Sequence, residues 1–153
     1  MAVEIERKFI VKGDSWKSDV INKYTCVQGY FNKSPDLVVR VRIIYDKAFI
    51  TIKSKSVNFS RNEYEYPIPL SDAKELLTLC KYKIFKDRYS IKYNQYEWII
   101  DVFKDDNSGL ILAEIELDNE NQTFDLPNWI ESEVSLDIRY TNLELAINPF
   151  NKK

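Results

Sequence analysis

Strict alternation of apolar and charged residues runs through most of this chain, and it restricts the fold to paired strands, because only an extended backbone sends successive side chains to opposite faces. In the first such segment Val3, Ile5, Arg7, Phe9 and Val11 share one phase, and Glu4, Glu6, Lys8 and Ile10 the other. Over 37–45, Val39, Val41 and Ile43 stand against Arg40 and Arg42; over 48–55, Ile50 and Ile52 stand against Thr51, Lys53 and Lys55. Further on, Arg61, Glu63 and Glu65 alternate with Tyr64, Tyr66 and Ile68, and Lys86 and Arg88 with Phe85, Tyr89 and Ile91. Asp101 is flanked by Ile100 and Val102, and Glu114 and Glu116 oppose Ala113, Ile115 and Leu117 after a hairpin connection over 104–109.

The period shifts in three places. Ser71 is placed to cap a short helix that buries Leu76, Leu77 and Cys80, and helices are also predicted near 15–23 and 141–148, the latter stopped by Pro149. The expectation is an α+β, mainly antiparallel single domain over 1–153, with seven or eight strands and two or three short helices. At 153 residues and 44% apolar content the chain has material for one good core and little for a second.

Composition removes whole classes of chemistry. Histidine is absent, which excludes Ser-His or Cys-His nucleophile systems, imidazole acid–base pairs and histidine metal ligands. With only Gly13, Gly29 and Gly109, neither a phosphate-cradling glycine loop nor a dinucleotide fingerprint can be assembled, so any phosphate must be held by side chains. Cys26 and Cys80 are far apart in sequence and read as two buried free thiols, not a disulfide or zinc pair. A net charge of -2 gives no global basic field for nucleic acid or an anionic membrane. No segment approaches the ~20 apolar residues of a membrane span, and a cytoplasmic protein is expected.

The charged phases are sorted by sign. Acid doublets stand at 4/6, 63/65 and 114/116, and cation doublets at 40/42, 53/55 and 86/88, with Lys8, Arg61 and Asp101 on the same phase. The wet face of an ordinary antiparallel sheet also alternates apolar and charged residues, but it tends to mix signs. If the sheet closes with this face inside, the cation strands form a wall able to hold phosphate oxygens, and the carboxylates form cages for hard divalent cations, Mg²⁺ or Mn²⁺.

These residues, in this order, resemble the CYTH domain, or triphosphate tunnel metalloenzymes, over essentially the whole chain. Glu4-Ile5-Glu6-Arg7-Lys8 is similar to the family's E-x-E-x-K signature, and Gln28-Gly29-Tyr30 and the doublets above follow in the family's order. The resemblance implies a closed eight-stranded antiparallel tunnel with helices packed outside, acting on inorganic triphosphate, a nucleoside triphosphate or thiamine triphosphate with one or two Mg²⁺ or Mn²⁺ ions. It assigns metal binding to Glu4, Glu6, Glu114 and Glu116, with Glu63, Glu65 and Asp101 serving a second metal or its water. Phosphate binding falls to Lys8, Arg40, Arg42, Lys53, Lys55, Arg61, Lys86 and Arg88. The catalytic set is then Glu4, Glu6, Lys8, Glu63, Glu65 and Asp101. The stretch 133–142 is similar to the family's closing motif, although Leu136 stands where glycine is common. Tyr140 and the helix after it read as a plug on the tunnel mouth.

A metal-dependent triphosphatase is the leading function. An adenylate cyclase of the same family, in which the 3′-hydroxyl of ATP attacks the α-phosphate, and a polyphosphate-binding module without turnover are the alternatives. Trp16, Trp98 and Trp129 read as core and not as a base-stacking surface, and Lys152 and Lys153 as a solvated tail.

Overall fold

The computed structural model describes residues 3–152; Met1, Ala2 and Lys153 lie outside it, as does the side chain of Lys152, so the tail named above is not described. The strands are β1 (Val3–Val11), β2 (Val20–Tyr30), β3 (Leu37–Ile44), β4 (Lys47–Ser54), β5 (Ser60–Ile68), β6 (Tyr82–Tyr93), β7 (Tyr96–Phe103), β8 (Ile111–Glu116) and β9 (Ile130–Glu133). Two helices, α1 (Leu70–Leu79) and α2 (Asn142–Ile147), complete the fold.

The strands run in the spatial order β5-β4-β3-β2-β6-β7-β8-β1, and β5 pairs back onto β1, so eight antiparallel strands close into a barrel. Closure works because β1 divides its edge: β8 takes one side along 6–10, while on the other side β5 pairs with Val3, Glu4 and Ile5 and β9 with Phe9, Ile10 and Val11. A closed barrel leaves no long unpaired edge for another chain to extend. No helix among the described residues is long and apolar enough to cross a membrane.

Closure sends one phase of every strand inside. The outward apolar phase of β1, β6, β7 and β8 packs as Phe9, Ile91, Trp98, Ile100, Ala113 and Ile115 beneath Trp16 and Trp129. All three tryptophans are core, as the sequence reading expects. α1 covers the outer face of β3 and β4, setting Ala73, Leu76 and Leu77 on Val41, Ile43, Ala48 and Ile50. α2 does something different: with Val134 it seats Leu143 and Leu145 on the inward apolar residues Tyr30, Val38, Ile84, Phe103 and Leu112, sealing one end of the barrel. Burying each leucine contributes about 1.5–3 kcal/mol.

Two local expectations fail. The helix expected over 15–23 is a 3₁₀ turn at Ser15–Asp19 only; Val20 already belongs to β2, whose backbone groups are taken by β6 from Val20 to Tyr30. Long-range strand pairing there overrides a local helical pattern. Ser71 does not cap α1, which begins one residue earlier behind Pro69, a residue whose fixed φ suits a helix entrance and which makes no side-chain cap bond. Thr141, by contrast, caps α2 by accepting a bond from the Glu144 amide at 3.2 Å.

Candidate active site

The inward polar phase encloses a cavity of about 510 Å³, lined by Glu4, Glu6, Lys8, Arg40, Arg42, Lys53, Lys55, Arg61, Glu63, Glu65, Arg88, Glu114 and Glu116, with Tyr30, Val38, Phe59, Ile99 and residues of 134–143. Thirteen predicted site residues therefore share one hollow, while Lys86 and Asp101 lie behind its wall, 0% and 1% exposed. Barrel order explains how charges scattered along the chain meet. The cation strands β4, β3 and β6 form one arc, interrupted only by neutral β2, and Asp101 on β7 with the acid strands β8, β1 and β5 forms the other.

Cross-strand register builds each contact. Glu4 lies opposite Arg61, and its carboxylate accepts bonds from Arg61 Nε and Lys53 Nζ, both at 3.1 Å. Burial raises the Glu4 carboxyl, but Lys53 and Arg61 outweigh it and hold the group well below the usual carboxylate range. Lys53 also faces Glu63 at 3.2 Å. Burial and the neighbouring Arg40 nonetheless lower the Lys53 ammonium, while burial and nearby Glu4 raise Glu63 against the pull of Lys53.

On the other side of β1, Glu6 lies opposite Glu116 and Lys8 opposite Glu114. Burial, then Glu114 and Glu4, push the Glu6 carboxyl up to about 7. Glu116 is raised by burial and by Glu4 and Glu63. Glu114 is lowered because Lys8, 3.5 Å away, and Arg88, 3.9 Å away, outweigh its burial. The Lys8 ammonium also donates to the Tyr140 carbonyl at 3.1 Å and, despite burial, is raised by Glu114 and Glu6.

Behind the wall, Asp101 binds three nitrogens: Arg88 Nε at 2.8 Å, Arg88 Nη2 at 2.9 Å and Lys86 Nζ at 2.8 Å. Burial alone would raise Asp101, but Arg88 and Lys86 hold it far below the carboxylate range. Burial dominates at Lys86 and brings its ammonium down to about 8, although Asp101 pulls it up. Lys86 also donates to Asn142 Oδ1 at 3.0 Å, tying the seal at α2 to the charged wall.

Lys55 sits at the exposed rim, 3.9 Å from Asp36. Arg40 donates to Thr51 Oγ1 at 3.1 Å and faces Glu65 at 3.5 Å, while Thr51 in turn donates to Glu65 at 2.9 Å. Arg42 differs from every other inward cation: among the described residues no carboxylate lies within ion-pair distance of it, and its Nε donates instead to Gln28 Oε1 at 3.0 Å. Burial, then the neighbouring Arg40 and Arg88, lower the Arg42 guanidinium.

Among the described residues no three acidic or thiol side chains converge into a ready-made metal cage, because Glu4 is turned to its cations and Glu114 to Lys8 and Arg88. The donors still fit a hard divalent cation in their chemistry. They are carboxylates only, and Glu6 and Glu116 are raised by burial and then by neighbouring carboxylates, a repulsion that a divalent cation relieves. Gln28, Thr51, Tyr30 and Ser135 were not assigned roles from the sequence. Thr51 was findable, since it shares the phase of Lys53 and Lys55; Gln28 and Tyr30 join the charged phase only through the β2–β3 register, and Ser135, which accepts a bond from the Lys8 amide at 2.9 Å, lies on no alternating segment. The closing stretch turns at Val134–Asp137 with a 3.0 Å backbone bond and no left-handed residue, so Leu136 is accommodated where glycine is common.

A closed antiparallel tunnel with opposed cationic and acidic arcs defines a protein built to hold a small polyanion together with hard cations. The sequence pattern of the CYTH domain matches residues 2–144, and the chain belongs to that family. It is 44% identical over 152 residues to an inorganic triphosphatase of Acetivibrio thermocellus, covering 98% of this chain and 97% of that protein. It is 33% identical to an inorganic triphosphatase of Nitrosomonas europaea, covering 95% and 97% of the two chains. A crystal structure of an inorganic triphosphatase superimposes with a TM-score of 0.67 at 32% identity, covering 96% of each chain. A Pyrococcus furiosus protein shares the fold at a TM-score of 0.60 and 19% identity, covering 77% of this chain and 80% of that one.

Proposed function

We propose that this chain, acting as a single domain over 1–153 in the cytoplasm, hydrolyses the terminal phosphoanhydride of inorganic triphosphate with Mg²⁺ or Mn²⁺. The observation that carries the reading is the segregation of inward charge into two arcs around one cavity, with Arg42 left without a carboxylate partner among the described residues. Relatives at 44% and 33% identity, both inorganic triphosphatases covered almost end to end, support the choice of substrate.

A triphosphate carries on the order of four or five negative charges. Arg40, Arg42, Lys53 and Arg88 line the cationic arc, Lys8 and Arg61 stand among the acids, and Lys55 waits at the rim to meet an entering anion. Glu6, Glu114 and Glu116, with Glu4, are the carboxylates that would hold divalent cations. Such cations would neutralise phosphate charge and lower the pKa of a bound water. Glu63 and Glu65 orient Lys53 and Arg40, and Asp101 with Lys86 acts one layer back by fixing Arg88. No protein nucleophile is needed. Holding the reacting groups in line by fixed charges is itself a large part of phosphoryl-transfer catalysis.

The test is a panel of tripolyphosphate, ATP, GTP and thiamine triphosphate with Mg²⁺ or Mn²⁺, every product being identified. Phosphate release from tripolyphosphate, abolished by chelator, is expected. Cyclic AMP with pyrophosphate from ATP, or no release above the metal-free control on any substrate, would overturn the reading.

A further inference from the structure

Neutral Gln28 occupies the one place in the wall where a carboxylate would be electrostatically most welcome. It lies directly opposite Arg42 in the β2–β3 register and is 0% exposed. Its carboxamide is engaged at both ends. Oε1 accepts from Arg42 Nε at 3.0 Å and lies 3.5 Å from the Cys26 thiol, and Nε2 donates to the Tyr30 hydroxyl at 2.7 Å. Those bonds fix both the amide orientation and the guanidinium plane. Arg40 shows the same device more weakly: neutral Thr51 accepts from it, but Glu65 also approaches within 3.5 Å.

A cation half-buried in a wall without a counter-charge is costly, and folded proteins ordinarily supply one. Three guanidiniums crowd this part of the wall, and burial, then Arg40 and Arg88, depress Arg42 further. A glutamate at position 28 has the same shape as glutamine and would relieve that strain. It would also consume the charge.

We infer that Gln28 is a positioning residue whose neutrality is its function: it orients Arg42 through Nε while leaving the guanidinium charge, and its remaining N–H groups, for a phosphate group of the substrate. The inference rests on the triphosphate reading above for the identity of the anion, but not for the electrostatics. Its signature is an opposition. Gln28→Glu strengthens the empty protein and weakens anion binding, whereas damage to packing lowers both.

The experiment measures tripolyphosphate affinity by calorimetry with chelator present, and thermal stability in anion-poor buffer, for the wild type, Q28E and Q28M. Q28E is expected to bind tripolyphosphate about tenfold or more weakly, the scale of a lost charge-assisted contact, with a melting temperature equal to or above the wild type. Q28M, similar in size but without an acceptor, is expected to lower the melting temperature, because Arg42 Nε and the Tyr30 hydroxyl lose their partner. Equal affinity of Q28E and wild type, or a parallel fall of affinity and melting temperature in Q28E, overturns the inference. A wild type that binds no tripolyphosphate either with chelator or with Mg²⁺, while Q28E melts higher than it, sinks the functional reading and upholds the uncompensated charge.

Discussion

Replacing Asp101 by asparagine tests the interior wall with the least change of shape. Asp101 is 1% exposed and holds both Arg88 and Lys86 at 2.8–2.9 Å. The substituted side chain would keep one acceptor oxygen but leave buried Lys86 and partly buried Arg88 sharing a neutral partner, with Glu114 3.9 Å from Arg88 as the nearest remaining carboxylate. Breaking a buried ion pair from one side costs about 3–5 kcal/mol, and the retained acceptor places this case near the low end. At roughly 2–4 °C per kcal/mol for a chain of this size, the melting temperature should fall by about 6–12 °C.

The pH dependence has a definite sign. Asp101 is depressed on folding, so its contribution is fully present above the unfolded value of about 3.9 and is lost as pH falls toward the folded one. Lys86, already near 8, loses in D101N the partner that holds it up, and shedding its proton then relieves the variant as pH rises. The deficit should therefore be greatest between about pH 5 and 7 and shrink on either side. Scanning calorimetry across pH in an anion-poor buffer is the assay. A loss below about 2 °C at pH 6, or a deficit that grows below pH 4, would refute the network's assigned role.

Other consequences follow from the same contacts. Glu6, raised to about 7, penalises folding once it ionises, so the metal-free protein should lose stability as pH climbs from about 4.5 through 7, and melting curves of E6Q in chelator should lack that decline. The pair E4Q/E6Q should abolish turnover while calorimetry still detects tripolyphosphate binding, and R40A should weaken the binding itself. A Cβ on Gly29 would stand 2.8 Å from both Cβ and Sγ of Cys80, so G29A should destabilise by about 1–3 kcal/mol in denaturant titration as Cys80 and the C-terminal end of α1 are pushed away from β2.

Much of this molecule was legible without coordinates. The phases of β1, β3, β4, β5, β6, β7 and β8 were readable because burial on one side of a strand writes itself into every second residue, and thirteen of the residues so selected line the cavity. β2 was not legible: Val20-Ile21-Asn22-Lys23 carries no alternation of its own, and the whole of Val20–Tyr30 is a strand because β6 supplies its backbone partners. β9 escaped for a similar reason, four residues being too short to show a period. The neutral members of the site, Gln28 and Thr51, share the inward phase, but their part depends on which arginine each one meets across the ladder.

What the chain determines by local order is the sign each strand points inward: acids on β1, β5 and β8, bases on β3, β4 and β6. What only the tertiary structure decides is adjacency. Along the sequence acid and base strands interleave, yet strand order places β4, β3 and β6 around one arc and β7, β8, β1 and β5 around the other, so like charges gather and opposite ones face across a hollow. Pairing between distant strands follows from closing the barrel's hydrogen-bond ladder and burying its outer apolar phase, and no residue's immediate neighbours encode that choice.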